Sequence, residues 1–359
     1  MTACDDCLRR TDLIAAMSGH LEVEFKQRTA PGSVLALPDA ELLDLSASPD
    51  VRRRYAGFDA PAARARVAAA GLKALCRCRD GYPGRLRDLA DPPAVIHVLG
   101  DPGVLHAEEA VAVVGARRAS SYGLDVARAL GRGLSAAGVP VVSGLALGVD
   151  SAAHAGALAA PGRTVGVLAA SAHVPYPARG WRLHAAVAAR GAVLSEMPPG
   201  ASGRRWCFIA RNRIIAALGA ATIVVQAAER SGSLTTADFA AELGRAVGAV
   251  PGLVTARLSA GTHGLIQAGA PLIRGAADAL ELLADVTGRE LRPQTPPPAP
   301  VAPPLRRLLD EIEGGRSALT ELAETPDQAR AALAGLGELE RLGLIRRGLD
   351  GRWERAVSA

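Results

Sequence analysis

Glycine, arginine and serine occur together at residues 114–123, which read VGARRASSYG and follow a short apolar run. Free backbone N–H groups at the start of a helix, hydroxyls and guanidiniums all bind anions. The segment contains neither GxGxxG nor GxxxxGK(S/T), so it is not the usual dinucleotide or Walker A loop. Phosphate is therefore the predicted ligand of this loop, and an ordinary tight turn with solvated arginines is the alternative.

A second segment, VSGLALGVDSAAHAGAL at residues 142–158, also follows an apolar run. Gly144 permits a close backbone approach, and Ser143 offers a hydroxyl donor. Asp150 can cap the helix that follows, and His154 lies one turn later on the same face. Asp150 and His154 are candidates for an acid/base pair or for a structural contact between the helix and its loop. We favour the structural role because no nucleophile lies beside the two residues.

The third segment, RWCFIARNRIIAALG at residues 205–219, contains Arg211, Asn212 and Arg213 at the predicted start of an apolar helix. Two guanidiniums and a carboxamide would clamp an anion. Basic residues in the first turn of a helix oppose its dipole, and this cost indicates a functional reason for them. The alternative for one of the two arginines is a structural role, in which its guanidinium donates hydrogen bonds to nearby carbonyls and does not bind an anion.

A fourth segment, AAERSGSLTTADFAAELGR at residues 227–245, opens another predicted helix. Its small donors are Ser231, Gly232, Ser233 and Thr235, which make a second anion cradle of the kind found at helix N-termini. Each segment is weak by itself. The prediction rests on several such loops meeting at one edge of a sheet.

Alternating apolar runs and helical stretches position these segments. Such alternation predicts βαβ units, and runs that are apolar throughout predict strands covered by helices on both faces. The fold class is therefore α/β, a doubly wound and mainly parallel Rossmann-like sheet whose strand-to-helix loops share the carboxyl edge, where ligands bind. The predicted strands are 111–114, 139–142, 165–168, 192–194, 222–225 and 246–250, with a lead-in strand at 95–99.

Proline and glycine divide the chain into four parts. Residues 1–78 form a small helical domain, with short helices from Asp12 to about Leu75, and residues 79–288 form the sheet domain. The proline-rich residues 289–304 are an extended linker. Residues 305–359 keep helical spacing and end in a predicted hairpin, an order that resembles a winged helix.

Composition narrows the class of protein. A chain of 359 residues with 49% hydrophobic content can bury a large core, and the net charge of +5 favours an anionic partner, although coding bias explains the excess of arginine equally well. Aromatic residues make up 3%, so a long stacking platform is not expected, while Tyr176, Trp206 and Phe208 are each candidates to stack one base. Without a leader or an apolar run of membrane length, we expect a cytoplasmic protein that does not contact membranes.

The five cysteines do not form a dense disulfide framework. Cys4 and Cys7 are a CxxC pair, and Cys76 and Cys78 are a CxC pair. The two pairs could bind one zinc ion together if the fold brings them close in space. Because the spacing is irregular and no histidine accompanies either pair, the sequence is predicted to hold no metal and no cofactor.

Taken together, the motifs VGARRASSYG, VSGLALGVDSAAH, LSEMPPG, FIARNRII and SGSLTTA, in this order, resemble the DNA-processing protein A family, also called DprA or Smf. The resemblance covers most of the chain. It implies an extended Rossmann domain that binds single-stranded DNA, loads the recombinase RecA during natural transformation and forms a homodimer. It also implies a sterile-alpha-motif-like domain at the N-terminus and a winged helix at the C-terminus. Because the sequence offers no evident set of nucleophile, base or metal ligands, we expect that the protein is not an enzyme.

The same resemblance implies which positions contact DNA. Arg230 stands where many members of the family have a lysine. Leu147 replaces a usual arginine, and Phe208-Ile209 replaces a usual Phe-Pro. With Asn212 from the third segment, the predicted DNA-binding residues are Gly115, Arg117, Ser143, Gly144, Arg211, Asn212, Arg213, Arg230, Ser231, Gly232, Ser233 and Thr235.

Two other functions remain open. Rossmann-like hydrolases that cleave nucleoside monophosphates use a PGGxGT loop, and this chain has SGSLTT instead. A winged-helix regulator of duplex DNA would act through the residues after Pro304. Sequence-independent binding of single-stranded DNA, without catalysis, is the prediction.

Overall fold

The structure, a computed structural model, describes residues 3–27, 32–46, 48–292, 301–323, 325–348 and 351–355. The chain consists of two compact units, Met1–Gln294 and Thr295–Ala359. Of the predicted linker 289–304, residues 293–300 lie outside the described residues. Among the described helices, none combines the length and apolar character needed to cross a bilayer.

One mixed sheet of eight strands organises the first unit, and it confirms the predicted α/β class. The strand order is β1-β2-β6-β5-β4-β3-β7-β8. The six strands from β6 to β8 in this order are parallel, whereas β1 pairs antiparallel with β2 and β2 with β6. The strands are β1 (Lys73–Cys76), β2 (Val95–Gly100), β3 (Val111–Val114), β4 (Val141–Ser143), β5 (Thr164–Val167), β6 (Ala192–Ser195), β7 (Ala221–Val224) and β8 (Ala246–Ala249).

Thirteen helices of the first unit surround this sheet within the described residues. They are α1 (Asp5–Ala16), α2 (Ser18–Gln27), α3 (Gly32–Leu35), α4 (Asp39–Ser46), α5 (Pro49–Ala56), α6 (Ala60–Ala69), α7 (Ser121–Ala136), α8 (Val149–Leu158), α9 (Trp181–Arg190), α10 (Arg205–Leu218), α11 (Leu234–Glu242), α12 (Ala260–Gln267) and α13 (Ala276–Thr287).

Helices cover both faces of the sheet, as strands that are apolar throughout require. Helices α7, α8 and α9 contact each other in turn and α13 contacts α7, so these four form one layer. Helices α10 and α11 contact each other and form the other layer. The strands β3 to β7 are fully buried between them.

The N-terminal helices pack on α10 through Trp206. The Trp206 side chain is buried, its ring centroid lies 5.3 Å from that of Phe25, and its Nε1 donates to the carbonyl of Ser18 over 3.0 Å. The prediction of helices up to about Leu75 is wrong at its end, because Lys73–Cys76 forms β1. Pairing with β2, which aligns Lys73 with Val98, outweighs the local helical pattern.

In the part of the second unit that the structure describes, three helices are followed by a two-stranded antiparallel hairpin. The core of this unit contains Leu309, Ile312, Leu336, Leu339, Ile345 and Trp353. The elements are α14 (Pro303–Glu313), α15 (Leu319–Leu322), α16 (Pro326–Arg341), β9 (Ile345–Arg347) and β10 (Trp353–Arg355).

Candidate functional site

The chain reverses its direction across the sheet at β3. From β3 it proceeds through β4, β5 and β6 on one side, and then returns to β7 and β8 on the other side. Loops on either side of such a reversal leave a crevice at the carboxyl ends of the strands, and ligands of open α/β sheets bind there. The loops that follow β3, β4 and β7 therefore border the expected binding position.

A pocket of about 420 Å³ occupies this crevice. The loop after β3, the loop after β4, helix α10 and the loop after β7 all contribute to its wall. Its lining includes Gly115, Arg117, Arg118, Ala146, Asp150, Phe208, Ile209, Arg211, Asn212, Ser231, Gly232, Ser233 and Thr236.

A second pocket of about 100 Å³ adjoins the first, since both are lined by Arg117, Ala146, Phe208 and Arg211. We call the two together the rim groove. The smaller pocket also includes Gly144, Leu147, Tyr176 and Pro177. Leu147, where the family resemblance predicts an arginine, therefore gives this end of the rim groove an apolar wall.

Two aromatic rings support Arg117, which is exposed on the loop after β3. Its guanidinium carbon lies 5.1 Å from the centroid of the Phe208 ring, which is a cation–π geometry. The Phe208 ring is 5.3 Å from that of Tyr176, and Tyr176 is 51% exposed. The Arg117 charge thus stays accessible to a ligand while an aromatic ring packs beneath it.

Arg211 lies beneath Arg117, at the floor of the rim groove. Its side chain is buried, and Nη1 donates to the carbonyl of Val167 at the end of β5 over 2.6 Å. Burial lowers the pKa of Arg211 to about 10, an effect that Asp150 opposes and Arg117 reinforces. The guanidinium is therefore charged at neutral pH. Its buried Nε has no hydrogen-bond partner among the described residues.

Asp150 holds the loop after β4 in place beside the Arg211 guanidinium. Its carboxylate accepts hydrogen bonds from the backbone N–H groups of Gly144 and Ala146 over 3.2 and 3.4 Å. Burial raises the pKa of Asp150, while Arg211 and the two amides oppose that shift. A Cβ on Gly144 would lie 1.8 Å from Nη1 of Arg211, so only glycine fits this position.

Helix α10 is joined to the loop after β7 by Asn212. Its amide nitrogen donates to the carbonyl of Gly232 over 3.0 Å and to Oγ1 of Thr235 over 2.7 Å. The hydroxyls of Ser231 and Ser233 lie 2.7 Å apart at the beginning of α11. Asn212 and Thr235 therefore hold the loop, and the serine hydroxyls are the groups that line the pocket.

Gln226 fixes the loop after β3 and is a residue that sequence reasoning missed. Its side-chain oxygen accepts from the N–H of Ser120 over 3.0 Å, and its nitrogen donates to Oγ of Ser120 over 2.8 Å. Ser120 in turn caps α7 by accepting from the N–H of Gly123. The signal in the sequence was one polar residue directly after the apolar run of β7.

Arg213 does not belong to the rim groove, which corrects the prediction that it contacts DNA. Its side chain is 2% exposed, Nε donates to Asp91 over 2.9 Å and Nη2 donates to Glu196 over 2.8 Å. Burial favours the neutral form, but the two carboxylates outweigh burial and raise the pKa of Arg213 above its ordinary value. Arg213 is thus a buried structural arginine.

The expected position of helix α10 is also wrong. The helix begins at Arg205, so Arg211 and Arg213 lie in its middle and do not oppose its dipole. The first turn extends to Arg205 because Trp206 and Cys207 are buried against the N-terminal helices. Residues two apart on a helix project about 200° apart, so the two arginines point in opposite directions.

Three further side chains lie inside the protein, and for Ser143 and Trp206 this corrects the prediction. Ser143 is buried and its hydroxyl donates to the carbonyl of Val113 over 2.6 Å, so it is not available to DNA. Trp206 is buried and cannot stack a base. Nδ1 of His154 contacts the hydroxyl of Thr164 at 2.7 Å, and burial lowers the pKa of His154 to about 3, in agreement with a structural role.

The remaining predicted residues divide as follows. Gly115, Arg117, Arg211, Asn212, Ser231, Gly232 and Ser233 line the larger pocket, and Gly144 lines the smaller one. Thr235 supports the loop through Asn212. Arg230 is exposed on the same loop but is not part of either pocket lining.

Known proteins resemble this chain in sequence and in structure. Residues 73–284 match the family described as DNA recombination-mediator protein A. The DNA processing protein DprA of Bacillus subtilis is 41% identical over 202 residues, which cover 56% of this chain and 68% of that protein.

Two solved structures align with the chain over most of their own length. The DNA processing protein A of Streptococcus pneumoniae gives a TM-score of 0.63 at 32% identity, covering 78% of this chain and 98% of that one. The DNA processing protein A of Helicobacter pylori, described for its single-stranded DNA binding mode, gives a TM-score of 0.55 at 28% identity, covering 60% and 98%.

Proposed function

Because this chain belongs to the DNA recombination-mediator protein A family, we propose that it binds single-stranded DNA in the rim groove and loads RecA recombinase onto DNA taken up in natural transformation. The observation that carries the proposal is that Arg117, Arg211 and Ser231, from three separate segments, line one pocket at the carboxyl edge of the sheet. Guanidiniums, hydroxyls and helix N-termini at one place are the groups that bind phosphates.

Binding is independent of base sequence in this proposal. The donors of the rim groove suit the phosphate backbone, which is the same for every sequence. Tyr176, the outer ring of the stack on Phe208, is half exposed and can take a base, but it supplies no base-specific hydrogen bond beyond that of its hydroxyl. Single strands are favoured over duplex because an unpaired base can turn out of the base stack and reach that ring.

The rim groove acts without catalysis in this proposal. Asp150 is engaged by two backbone amides and the Arg211 charge, and His154 is neutral and turned to Thr164. An acid/base step needs a titratable group that can exchange protons with substrate. Incubation with nucleoside monophosphates is expected to release no free base.

The proposal also includes a protein partner, because the bound DNA is delivered to the recombinase RecA. We assign the chain a homodimeric state and a cytoplasmic location, where incoming single strands and RecA meet. The family name, DNA recombination-mediator protein A, supports delivery to a recombinase. The groove supports it too, because a strand that is held by its backbone keeps its bases free for pairing.

Fluorescence anisotropy of a labelled oligothymidylate tests the binding site. Arg117→Ala is expected to weaken binding by about 1–2 kcal/mol, roughly 5- to 30-fold, because one charge-assisted phosphate contact is lost. Arg163→Ala is the matched control, since Arg163 is an exposed arginine that precedes β5 and so lies at the opposite edge of the sheet. Equal affinities for the wild type and Arg117→Ala would refute the site.

A second assay separates loading from binding. Single-stranded DNA covered with a single-strand-binding protein is mixed with RecA, with and without this chain, and RecA filament formation is followed by its ATPase rate. Faster filament formation with the wild type, and a loss of that gain with Arg117→Ala, is expected. Tight DNA binding with no effect on RecA would contradict the loading function alone.

A further inference from the structure

Four of the five cysteines come together at the edge of the sheet, although the two pairs are about 70 positions apart in sequence. Cys4 precedes helix α1 and Cys7 lies in its first turn. Cys76 ends strand β1, and Cys78 follows in the next turn. The fold therefore joins the CxxC pair to the CxC pair at one point.

The distances between sulfur atoms are those of a metal site. The Sγ atoms of Cys4, Cys7 and Cys78 all lie within 4.8 Å of one another. Cys7 Sγ is 3.5 Å from Cys78 Sγ, and Cys76 Sγ is 3.9 Å from Cys4 Sγ. Four thiolates at about 2.3 Å from a tetrahedral zinc ion are about 3.8 Å from each other. The Cys4, Cys7 and Cys78 sulfurs are close enough together to share one ion, and Cys76, whose sulfur contacts that of Cys4, is the fourth candidate ligand.

We propose that Cys4, Cys7, Cys76 and Cys78 bind one zinc ion, which fastens helix α1 to strand β1. Within the described residues, this is the one place where three or more metal-ligating side chains converge. All four ligands are sulfur, the donor type of structural zinc sites, and no fifth protein group is required.

The surroundings of the sulfurs support thiolate ligands. The backbone N–H of Cys4 points to Sγ of Cys76 over 3.4 Å, as amides do toward the thiolates of metal sites.

A zinc ion at this position has a structural consequence. Around the sulfurs, Ala3, Leu8, Ala94 and Val95 form a small buried cluster between α1 and the edge of the sheet. Helix α1 also packs in a larger apolar cluster through Leu13 and Ile14, and a cross-link over some 70 residues adds stability by restricting the unfolded chain. Strands β2, β6 and β5 lie between β1 and β4, whose loop lines the rim groove, so the ion is proposed to act on stability.

Metal analysis of the full chain, purified under reducing conditions and freed of loose metal, tests the proposal. One zinc per chain is expected for the wild type, and Cys78→Ser, a change at an exposed position, is expected to lose at least nine-tenths of it. Cys207→Ser is the matched control, because Cys207 is buried in α10 and outside the cluster. It is expected to keep one zinc per chain.

X-ray absorption at the zinc edge measures the ligands directly and needs no variant. Four sulfur neighbours at about 2.3 Å are expected. A wild type that contains no zinc and titrates five free thiols, a Cys7–Cys78 or Cys4–Cys76 disulfide in the reduced preparation, or zinc retained in folded Cys78→Ser would each overturn the proposal.

Discussion

The guanidinium carbon of Arg117 lies 5.1 Å from the centroid of the Phe208 ring, although 91 positions separate the two residues in sequence. Phe208 belongs to α10 and Arg117 to the loop after β3, so this contact joins two of the segments that line the rim groove. The ring limits the directions that the guanidinium can take. Phe208 thus positions the residue that is proposed to contact DNA.

Replacing Phe208 by leucine is expected to weaken binding of single-stranded DNA about two- to fivefold, since a cation–π contact at an exposed site contributes about 0.5–1 kcal/mol. The measurement is an anisotropy titration at fixed salt. Phe239→Leu makes the same change in α11, outside both pockets, and should leave the affinity unchanged. If Phe208→Leu binds as tightly as Phe239→Leu, Phe208 does not position Arg117.

Arg213→Met is expected to destabilise the fold by about 3–5 kcal/mol, because Asp91 and Glu196 are left buried without their partner. Urea unfolding followed by circular dichroism measures the effect. Arg117→Ala, at an exposed position, should change the free energy of unfolding by no more than about 0.5 kcal/mol. An Arg213→Met protein with native stability and reduced DNA affinity would restore Arg213 to the binding site.

These two arginines show what the sequence can and cannot predict. The type of loop was predictable, because glycine, serine and arginine after an apolar run have few structural uses besides a turn or an anion site. Which arginine faces the groove depends on where α10 begins, and that depends on Trp206 packing against Phe25, a residue far earlier in the chain. Local pattern carries no information about such a contact.

The sheet was easier to predict than its edge. Central strands such as β3, with the sequence VAVV, are buried on both faces and so are apolar at every position. Strand β1, with the sequence KALC, is an edge strand of four residues whose burial increases from exposed Lys73 to buried Cys76 and shows no alternation. Pairing with β2 determines the structure of β1. The helical pattern of the residues before it led to a prediction of helices up to about Leu75, inside the strand.

A chain ending at Gln294 is expected to bind single-stranded DNA within about threefold of the full chain. The reason is that every residue of the rim groove belongs to the unit Met1–Gln294. Anisotropy titrations with single-stranded and duplex oligonucleotides compare the two chains. Loss of single-strand binding on truncation would favour the alternative in which the C-terminal unit is the DNA-binding element.

Acid is expected to destabilise the protein through His97, a buried residue of β2. Burial lowers the pKa of His97 to about 4, so the folded state keeps it neutral where the unfolded state, with a pKa near 6.5, takes up a proton. The contribution of neutral His97 to the free energy of unfolding is fully present above about pH 6.5 and is lost as the pH falls from 6.5 to 4. By linkage the loss at pH 5 is about 2 kcal/mol.

The contribution of His97 is isolated by comparing urea unfolding at pH 7 and pH 5 for the wild type and His97→Asn. The variant should lose less stability on acidification, by about 2 kcal/mol, whatever its stability at pH 7. His106→Asn, at an exposed histidine, should follow the wild type. The same pH dependence in all three proteins would contradict a depressed pKa for His97.

The most direct test of the central claim is the salt dependence of binding to a single-stranded oligonucleotide. The logarithm of the association constant should fall linearly with the logarithm of the salt concentration, with a slope near −0.7 for each phosphate neutralised. Arg117→Ala should make that slope shallower by about 0.7, and Arg163→Ala should leave it unchanged. A wild-type affinity that does not respond to salt, or one slope shared by all three proteins, would contradict phosphate binding at the rim groove.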